Sequence, residues 1–362
     1  MSNTGQTLVY ARRVTKQTWT ATVSAILFVL LAAVIALVPV PYVSWSPGST
    51  VDLLESVDGK PRVQIGGAEV YPVTGQLRLT TVAVTSVRSQ LTLPEALLSY
   101  WLPAREVLPR DAVYPAGTDA GAFRAKEVQA MDTSQSKAIA AALRAAELPV
   151  QEVPQVATVP AGGPAIDKLK PGDYLTAVDG IKVSTIQAVK NAIHKHAVGE
   201  SVVFEVLRGG ETLTVTVATS AANNAPATPV VGITLEIGYI YAPTVTFAIN
   251  PDIGGPSAGL MFAVAVYDGV TPGDLIAGRS VAGTGTLTGS GQVGEIGGIQ
   301  EKIAGAERAG ASIFLVPAEN CVDARAATTS MRLVKVATLS DALTGLAALA
   351  DPTRADAVAG CQ

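Results

Sequence analysis

Ser257 and Lys302 are the two side chains in this 362-residue sequence best placed to do chemistry. Ser257 lies in Ala248-Ile-Asn-Pro-Asp-Ile-Gly-Gly-Pro-Ser-Ala-Gly-Leu-Met-Phe-Ala-Val-Ala-Val-Tyr. A strand ends near Ile249, a glycine-rich turn follows, and Pro256-Ser257 opens a helix, proline being preorganised for a first helical turn. That helix, Ala258 to Tyr267, is apolar all round, which predicts burial. A serine there sits beside backbone N–H groups without helical partners, donors able to hold an oxyanion. The alternative is an ordinary N-cap, a common task for serine. A nucleophilic serine needs a base. The two histidines, His194 and His196, both fall in a distant helical segment, Ser184 to Lys195 and just beyond. Their spacing of two puts them on nearly opposite helix faces, against joint metal binding and in keeping with solvated surface side chains.

Lysine is the natural alternative base. Gly297-Gly-Ile-Gln-Glu-Lys-Ile-Ala-Gly-Ala-Glu-Arg-Ala-Gly310 predicts a helix from near Ile299, with Ile299, Ile303, Ala306 and Ala309 on one apolar stripe. Lys302 falls inside that stripe, while Gln300, Ala304 and Arg308 point away. A lysine on a buried face is unusual. Desolvation would lower its pKa towards the range useful for a general base; a structural ion pair is the alternative.

The composition narrows the classes. With 26 Lys+Arg against 30 Asp+Glu and a net charge of −4, the chain lacks the basic footprint of a nucleic-acid binder. Two Cys and two His leave little for a zinc or haem site, so no metal or cofactor is expected. The length suits two or three domains. Apolar residues make up 48%, part of it in the uncharged run Ala21 to Val40, long enough to span a bilayer. Arg12, Arg13 and Lys16 precede that run, and the first carboxylate is Asp52. Basic flanks stay cytoplasmic, so the remainder is expected outside. Trp19, Tyr42 and Trp45 fall where aromatic belts form. A cleaved signal peptide competes, but its apolar core is shorter, ~7–15 residues, and Val38-Pro-Val-Pro-Tyr is a poor cleavage site. The expectation is a single-pass, uncleaved anchor. Outside the membrane, Cys321 and Cys361 are free to form a disulfide or to stay unpaired.

Ser44 to Asp119 is rich in Gly, Pro and Thr and reads as strands with nothing catalytic. Ser134 to Glu147 reads as a helix ending before Leu148-Pro149. Val153 to Ser220 alternates strands and turns around one helix, with tight turns at Asp179-Gly180 and Gly209-Gly210. The segment VATVPAGGPAIDKLKPGDYLTAVDGIKV, followed by VKNAIHKHAVGESVVFEVLRGGETLTVTV, resembles a bacterial protease-associated PDZ domain. Such domains bind extended peptides or chain termini by strand addition. The glycine loop that usually cradles a peptide carboxylate is not evident before Val156. Ala221 to Thr228 reads as a linker, and Val230 to Ala350 alternates strands and helices.

Asp-Ile-Gly-Gly-Pro-Ser-Ala-Gly around Ser257, and Thr-Gly-Thr-Leu-Thr-Gly-Ser-Gly-Gln-Val-Gly-Glu-Ile-Gly-Gly-Ile-Gln-Glu-Lys from Thr284 to Lys302, resemble the Lon-type proteolytic domain, a Ser-Lys peptidase. The resemblance implies that Ser257 is the nucleophile and Lys302 the general base, with Thr284 helping to orient the lysine. Asp252 and Gly255 lie in the supporting loop, their roles open. As a whole the chain resembles the membrane-anchored PDZ–Lon-type proteases of bacteria. No Gly-x-x-x-x-Gly-Lys-Ser/Thr phosphate loop occurs in it, so no ATPase is argued.

The expected fold is an α+β multidomain one: basic tail 1–20, transmembrane helix 21–40, β-rich region 44–133, PDZ-like β-barrel domain 134–220, Lon-type α/β proteolytic domain 229–350 and tail 351–362. The helix at Ser134 to Glu147 resembles the one before the catalytic core in Lon domains, which would make the PDZ unit an insertion in a split domain. The resulting expectation is an ATP-independent serine endopeptidase, acting on unfolded or extended polypeptides outside the membrane of a bacterial cell. The resemblance adds a homo-oligomeric ring, with a hexamer as one form. A catalytically inactive PDZ–Lon-like adaptor at the membrane is the rival; a small-molecule hydrolase on the same dyad is a weaker third.

Overall fold

The computed structural model describes residues 15–361. Arg12, Arg13 and most of the basic tail lie outside the described residues, as does Gln362. Nine α-helices occur among them: α1 Lys16–Leu37, α2 Leu93–Trp101, α3 Arg110–Val113, α4 Ala120–Ala145, α5 Ile186–Ile193, α6 Gly259–Val270, α7 Ile299–Arg308, α8 Cys321–Ala324 and α9 Leu339–Leu349. The chain divides into two compact units, one holding residues up to Pro47 with Val82–Phe123, the other Gly48–Thr81 and everything from Arg124.

In the first unit α1 is apolar and exposed along its whole length, and is long enough to cross a membrane. It starts at Lys16, where the Thr15 hydroxyl accepts from the Thr18 N–H, five residues before the expected span. It stops at Leu37 rather than Val40, because Pro39 supplies no N–H and biases Val38 to its extended conformation. Pro39–Val40 pairs instead with Leu91–Thr92, and Tyr42–Trp45 pairs with Glu106–Pro109. The reading of 44–119 as strands is corrected by α2 and α3. Thr92-Leu93-Pro94-Glu95 forms a capping box with proline in the first turn, a helix start hidden among strand-forming neighbours.

The second unit is built around two large sheets. One runs Glu211–Ala218, Ser201–Arg208, Tyr174–Val178, Val150–Thr158, Thr234–Tyr241. Leu175, Val202, Phe204 and Val206 pack under it against Val189 and Ile193 of α5. Asp179-Gly180 and Gly209-Gly210 make its tight turns. The expected linker is a hairpin, Ser220–Ala222 against Ala225–Val230. Beyond it Thr234–Tyr241 runs antiparallel to Val150–Thr158 from Thr158 to Val150, so this sheet draws a strand from past residue 229.

The other sheet places Gln76–Val84, Ser280–Gly283, Ile313–Pro317 and Arg332–Val336 side by side and parallel. One core joins Leu77 and Leu79 to Ile139 and Leu143 of α4, nearly all of α6, and Leu315, Val334 and Leu346. Residues on both sides of 150–241 therefore share a single core, which the PDZ-like sheet leaves and re-enters. A further cluster packs Ile299, Ile303 and Ala306 of α7 on Ala282, Phe314 and Val316. Cys321 and Cys361 are bonded, their Cα atoms 5.0 Å apart. Helix α4 begins fourteen residues before Ser134; its first half is largely exposed and offers no apolar period to read.

Candidate active site

The strand Thr244–Phe247 pairs with Val63–Gly66 and delivers the chain to the loop 248–258. Three residues of α4 hold that loop. The Glu127 carbonyl accepts from the Gly255 N–H at 3.0 Å, the Ser134 hydroxyl donates to the Pro256 carbonyl at 3.0 Å, and Arg124 pairs with Asp252 at the exposed surface. Only glycine fits the approach to α4. A Cβ on Gly254 would lie 2.7 Å from the Glu127 Cβ, and Gly255 has a φ of +89°. Asp252 is thus placed on the outside of the loop, facing Arg124, and Gly255 at its tightest point.

Helix α6 starts one residue later than expected, at Gly259, with Ala258 as N-cap and no side-chain cap bond. Ser257 is therefore not the N-cap, and its half-buried hydroxyl makes no hydrogen bond to the described residues. Its carbonyl is held twice, by the Gly285 N–H at 2.8 Å and the Thr284 hydroxyl at 3.0 Å. The Gly285 carbonyl in turn accepts from the Leu260 N–H at 3.1 Å. That two-sided clip excludes a side chain, since a Cβ on Gly285 would lie 2.9 Å from the Val293 Cγ1. Among the described residues the N–H groups of Ser257, Ala258 and Gly259 donate to no other group.

Lys302 lies one turn into α7, on the buried stripe with Ile299, Ile303 and Ala306; Ala309 is half-buried at its end. The side chain of Lys302 is 4% exposed, and its Nζ donates to the Thr284 hydroxyl at 3.1 Å. Burial lowers its pKa from 10.5 to about 8, with the neighbouring Glu301 carboxylate opposing that shift. Lys302, Thr284 and Ser257 thus form one hydrogen-bonded chain: ammonium to hydroxyl, hydroxyl to the serine carbonyl. Ser257 Oγ and Lys302 Nζ are not themselves hydrogen-bonded. Asn320 fixes the approach to α7 by accepting from the Ile296 N–H at 2.9 Å and donating to its carbonyl at 3.0 Å.

His196 faces Asp179 at 2.7 Å and Glu200 at 3.5 Å in the loops beside the PDZ-like sheet, and His194 is exposed at the end of α5. Among the described residues no cluster of His, Cys, Asp and Glu is arranged to hold a metal. A cavity of about 420 Å³ opens beside the loop, lined by Lys126, Gln129 and Lys137 of α4, Glu236 of the PDZ-like sheet, and Pro256 and Leu287. The residues the sequence did not single out here are Arg124, Glu127 and Asn320. Glu127 acts through its backbone carbonyl, which has no sequence signature; Ser134 was visible only as a helix start.

Residues 133–219 match the PDZ domain family, and residues 247–345 match the Lon protease (S16) C-terminal proteolytic domain. The chain therefore combines a PDZ domain with a Lon-type proteolytic domain, behind an N-terminal apolar helix. It is similar to the Lon protease of Neorickettsia sennetsu, 36% identical over 94 residues, covering 25% of this chain and 11% of that protein. The Lon protease of Chloroflexus aurantiacus is 36% identical over 112 residues, 30% of this chain and 13% of that protein. The Lon protease of Roseiflexus castenholzii is 44% identical over 71 residues, 20% of this chain and 9% of that protein. The chain spans about a tenth of the length of these relatives. A solved structure, the PDZ domain of the SdrC-like protein of Listeria monocytogenes, is 30% identical, covers 23% of this chain and 86% of its own, and has a TM-score of 0.22.

Proposed function

We propose that the chain is a membrane-anchored serine endopeptidase that cleaves unfolded or extended polypeptides without ATP, with Ser257 as nucleophile and Lys302 as general base. The observation that carries this reading is the buried Lys302, its pKa lowered to about 8, joined through Thr284 to the carbonyl of Ser257. Neutral Lys302 takes the Ser257 hydroxyl proton as Oγ bonds to the scissile carbonyl carbon. The N–H groups of Ser257, Ala258 and Gly259 are the donors for the resulting oxyanion. Lys302 passes its proton to the leaving amine as the C–N bond breaks, leaving an ester on Ser257. Water then attacks that ester, giving a proton to Lys302; the proton returns to Oγ as the new carboxylic acid departs. Thr284 uses its own proton on the Ser257 carbonyl and its lone pair on Lys302, which leaves the lysine lone pair free for the serine.

Arg12 and Arg13 before α1, and Lys16 at its first position, support a cytoplasmic N-terminus and a catalytic part outside the membrane. The PDZ sheet ends on Thr234–Tyr241, an edge for strand addition by substrate segments. The cavity along α4 leads from Glu236 in that strand to Pro256, next to the nucleophile. The PDZ unit is then an insertion in a split Lon-type domain, recruiting or gating substrate, and a ring of copies is the working assembly.

An inactive adaptor is the second reading, favoured by the missing hydrogen bond between Ser257 Oγ and Lys302 Nζ. The full chain in detergent micelles, given an unfolded protein without ATP, separates the two. Turnover lost in Ser257→Ala and in Lys302→Met establishes the peptidase. Equal inertness of all three, with no labelling of Ser257 by an acylating probe, establishes the adaptor.

A further inference from the structure

Helix α2 is built inside out. Its buried side chains are the small Ala96 and Ser99, while Leu97, Leu98, Tyr100 and Trp101 face outward. At ~100° per residue, Pro94, Leu97, Leu98, Tyr100 and Trp101 occupy one arc of roughly 160° that carries no charge. Tyr100 is 72% and Trp101 73% exposed, and Leu102 extends the patch. Large side chains outside and small ones inside reverse the ordinary order of a water-facing helix. The helix's one charged residue, Glu95, is turned back on its own first turn, accepting from the Thr92 N–H at 2.8 Å.

The position of α2 says what covers this face. Thr92, its N-cap, pairs with Pro39, and Leu91 pairs with Val40, the residues that immediately follow α1 and its cap. Helix α2 also packs beside α1. The 22 residues of α1 extend ~33 Å, slightly more than a bilayer's hydrocarbon core, so its end reaches the headgroup layer and α2 begins there. Tyr and Trp with neighbouring Leu are the side chains that favour that layer, where an amphipathic ring keeps one end dry and the other wet. Arg105 and Glu106 return the chain to charge directly after the patch.

We propose that α2 is a second membrane contact: an interfacial helix whose Leu97–Leu98–Tyr100–Trp101 face lies in the headgroup and upper acyl region of the bilayer crossed by α1. This rests on the reading of α1 as a membrane span. The contact holds the first unit against the lipid surface at two points, so that the anchor is a platform and not a single flexible tether.

The test uses the full chain in phosphatidylcholine vesicles and the three tryptophans at 19, 45 and 101. A Trp19→Phe/Trp45→Phe variant leaves Trp101 as reporter; a Trp45→Phe/Trp101→Phe variant leaves Trp19 on α1. The expected result is Trp101 emission shifted to shorter wavelength, with most of it lost in lipids brominated near the headgroup and less in lipids brominated at the chain end. Trp19 quenched by bromolipid, with Trp101 quenched only by aqueous iodide, overturns the proposal and leaves the anchor standing. Neither residue quenched by bromolipid overturns both. Trp101 shielded from bromolipid and iodide alike, and becoming iodide-accessible as protein is diluted in lipid, assigns the face to a second copy of the chain and also overturns the proposal.

Discussion

Replacing Lys302 by methionine should cut turnover sharply and at the same time make the protein more stable. The side chain is almost wholly buried, and its pKa is lowered from 10.5 to about 8. At pH 7 the folded state therefore carries a largely protonated ammonium in a site that disfavours it. A pKa of 8 folded and 10.5 unfolded corresponds to a cost of about 3 kcal/mol below pH 8. Above pH 8 the unfolded state binds more protons than the native state, so wild-type stability rises with pH and the cost falls to roughly half by pH 9.5. Methionine keeps the length of the chain and removes the charge, so Lys302→Met should gain up to about 3 kcal/mol at pH 7 and clearly less at pH 9.5. Denaturant melts of both proteins at the two pH values measure this. Peptide turnover should fall about a thousandfold through loss of the base. The same titration sets the wild-type pH–rate profile: the neutral fraction rises roughly tenfold between pH 7 and 9, and kcat/KM should follow it. A methionine variant destabilised equally at both pH values would refute burial as the origin of the lowered pKa.

Glu301→Gln removes the one carboxylate that opposes the Lys302 shift; the acidic limb of the kcat/KM profile should move to lower pH. Thr284→Val breaks the link between Lys302 Nζ and the Ser257 carbonyl. It should slow acylation of Ser257 by an ester probe roughly 10- to 100-fold and cost about 1–3 kcal/mol in a urea melt. Gly285→Ala puts a Cβ 2.9 Å from Val293 Cγ1 and 3.3 Å from Leu260 Cβ. The overpacking should cost about 1–3 kcal/mol and reduce probe labelling, because the same glycine clips Ser257 to α6. Cys361→Ser opens a loop closed over a sequence separation of 40; unfolding should become easier by up to roughly 4 kcal/mol, read as a drop in Tm.

What the sequence made legible depended on whether the relevant physics is carried by side-chain pattern. Helix α6 is apolar on every face and is buried on nearly every face; helix α7 shows its stripe, and the lysine inside that stripe is buried as the spacing predicts. Both are cases where burial and sequence are the same information. The strand Thr234–Tyr241 shows the limit. Its alternation declares a strand, but alternation names no partner, and the strand joins the PDZ sheet although the residues after it belong to the core around α6.

Helix α4 is the more instructive case, because the loop before Ser257 depends on it and its first half carries no helical signal in the sequence. Residues 120–130 are mostly solvated, so nothing selected a 3.6-residue apolar period there. Their work is done by groups that leave no pattern. Glu127 contributes a carbonyl that any residue could supply, and Arg124 is half of an exposed ion pair. The specificity sits on the other side of the contact. Gly254 has no side chain because a Cβ there would meet the Cβ and backbone of Glu127 in α4, and Gly255 turns the chain beside it at a φ of +89°. The legible trace of this half of α4 is thus the glycine pair that begins 127 residues after Glu127, a glycine-rich turn in the sequence and a close packing contact in the structure. A glycine-rich loop before a candidate nucleophile therefore asks two questions of a sequence: which φ angles it needs, and which element lies against it.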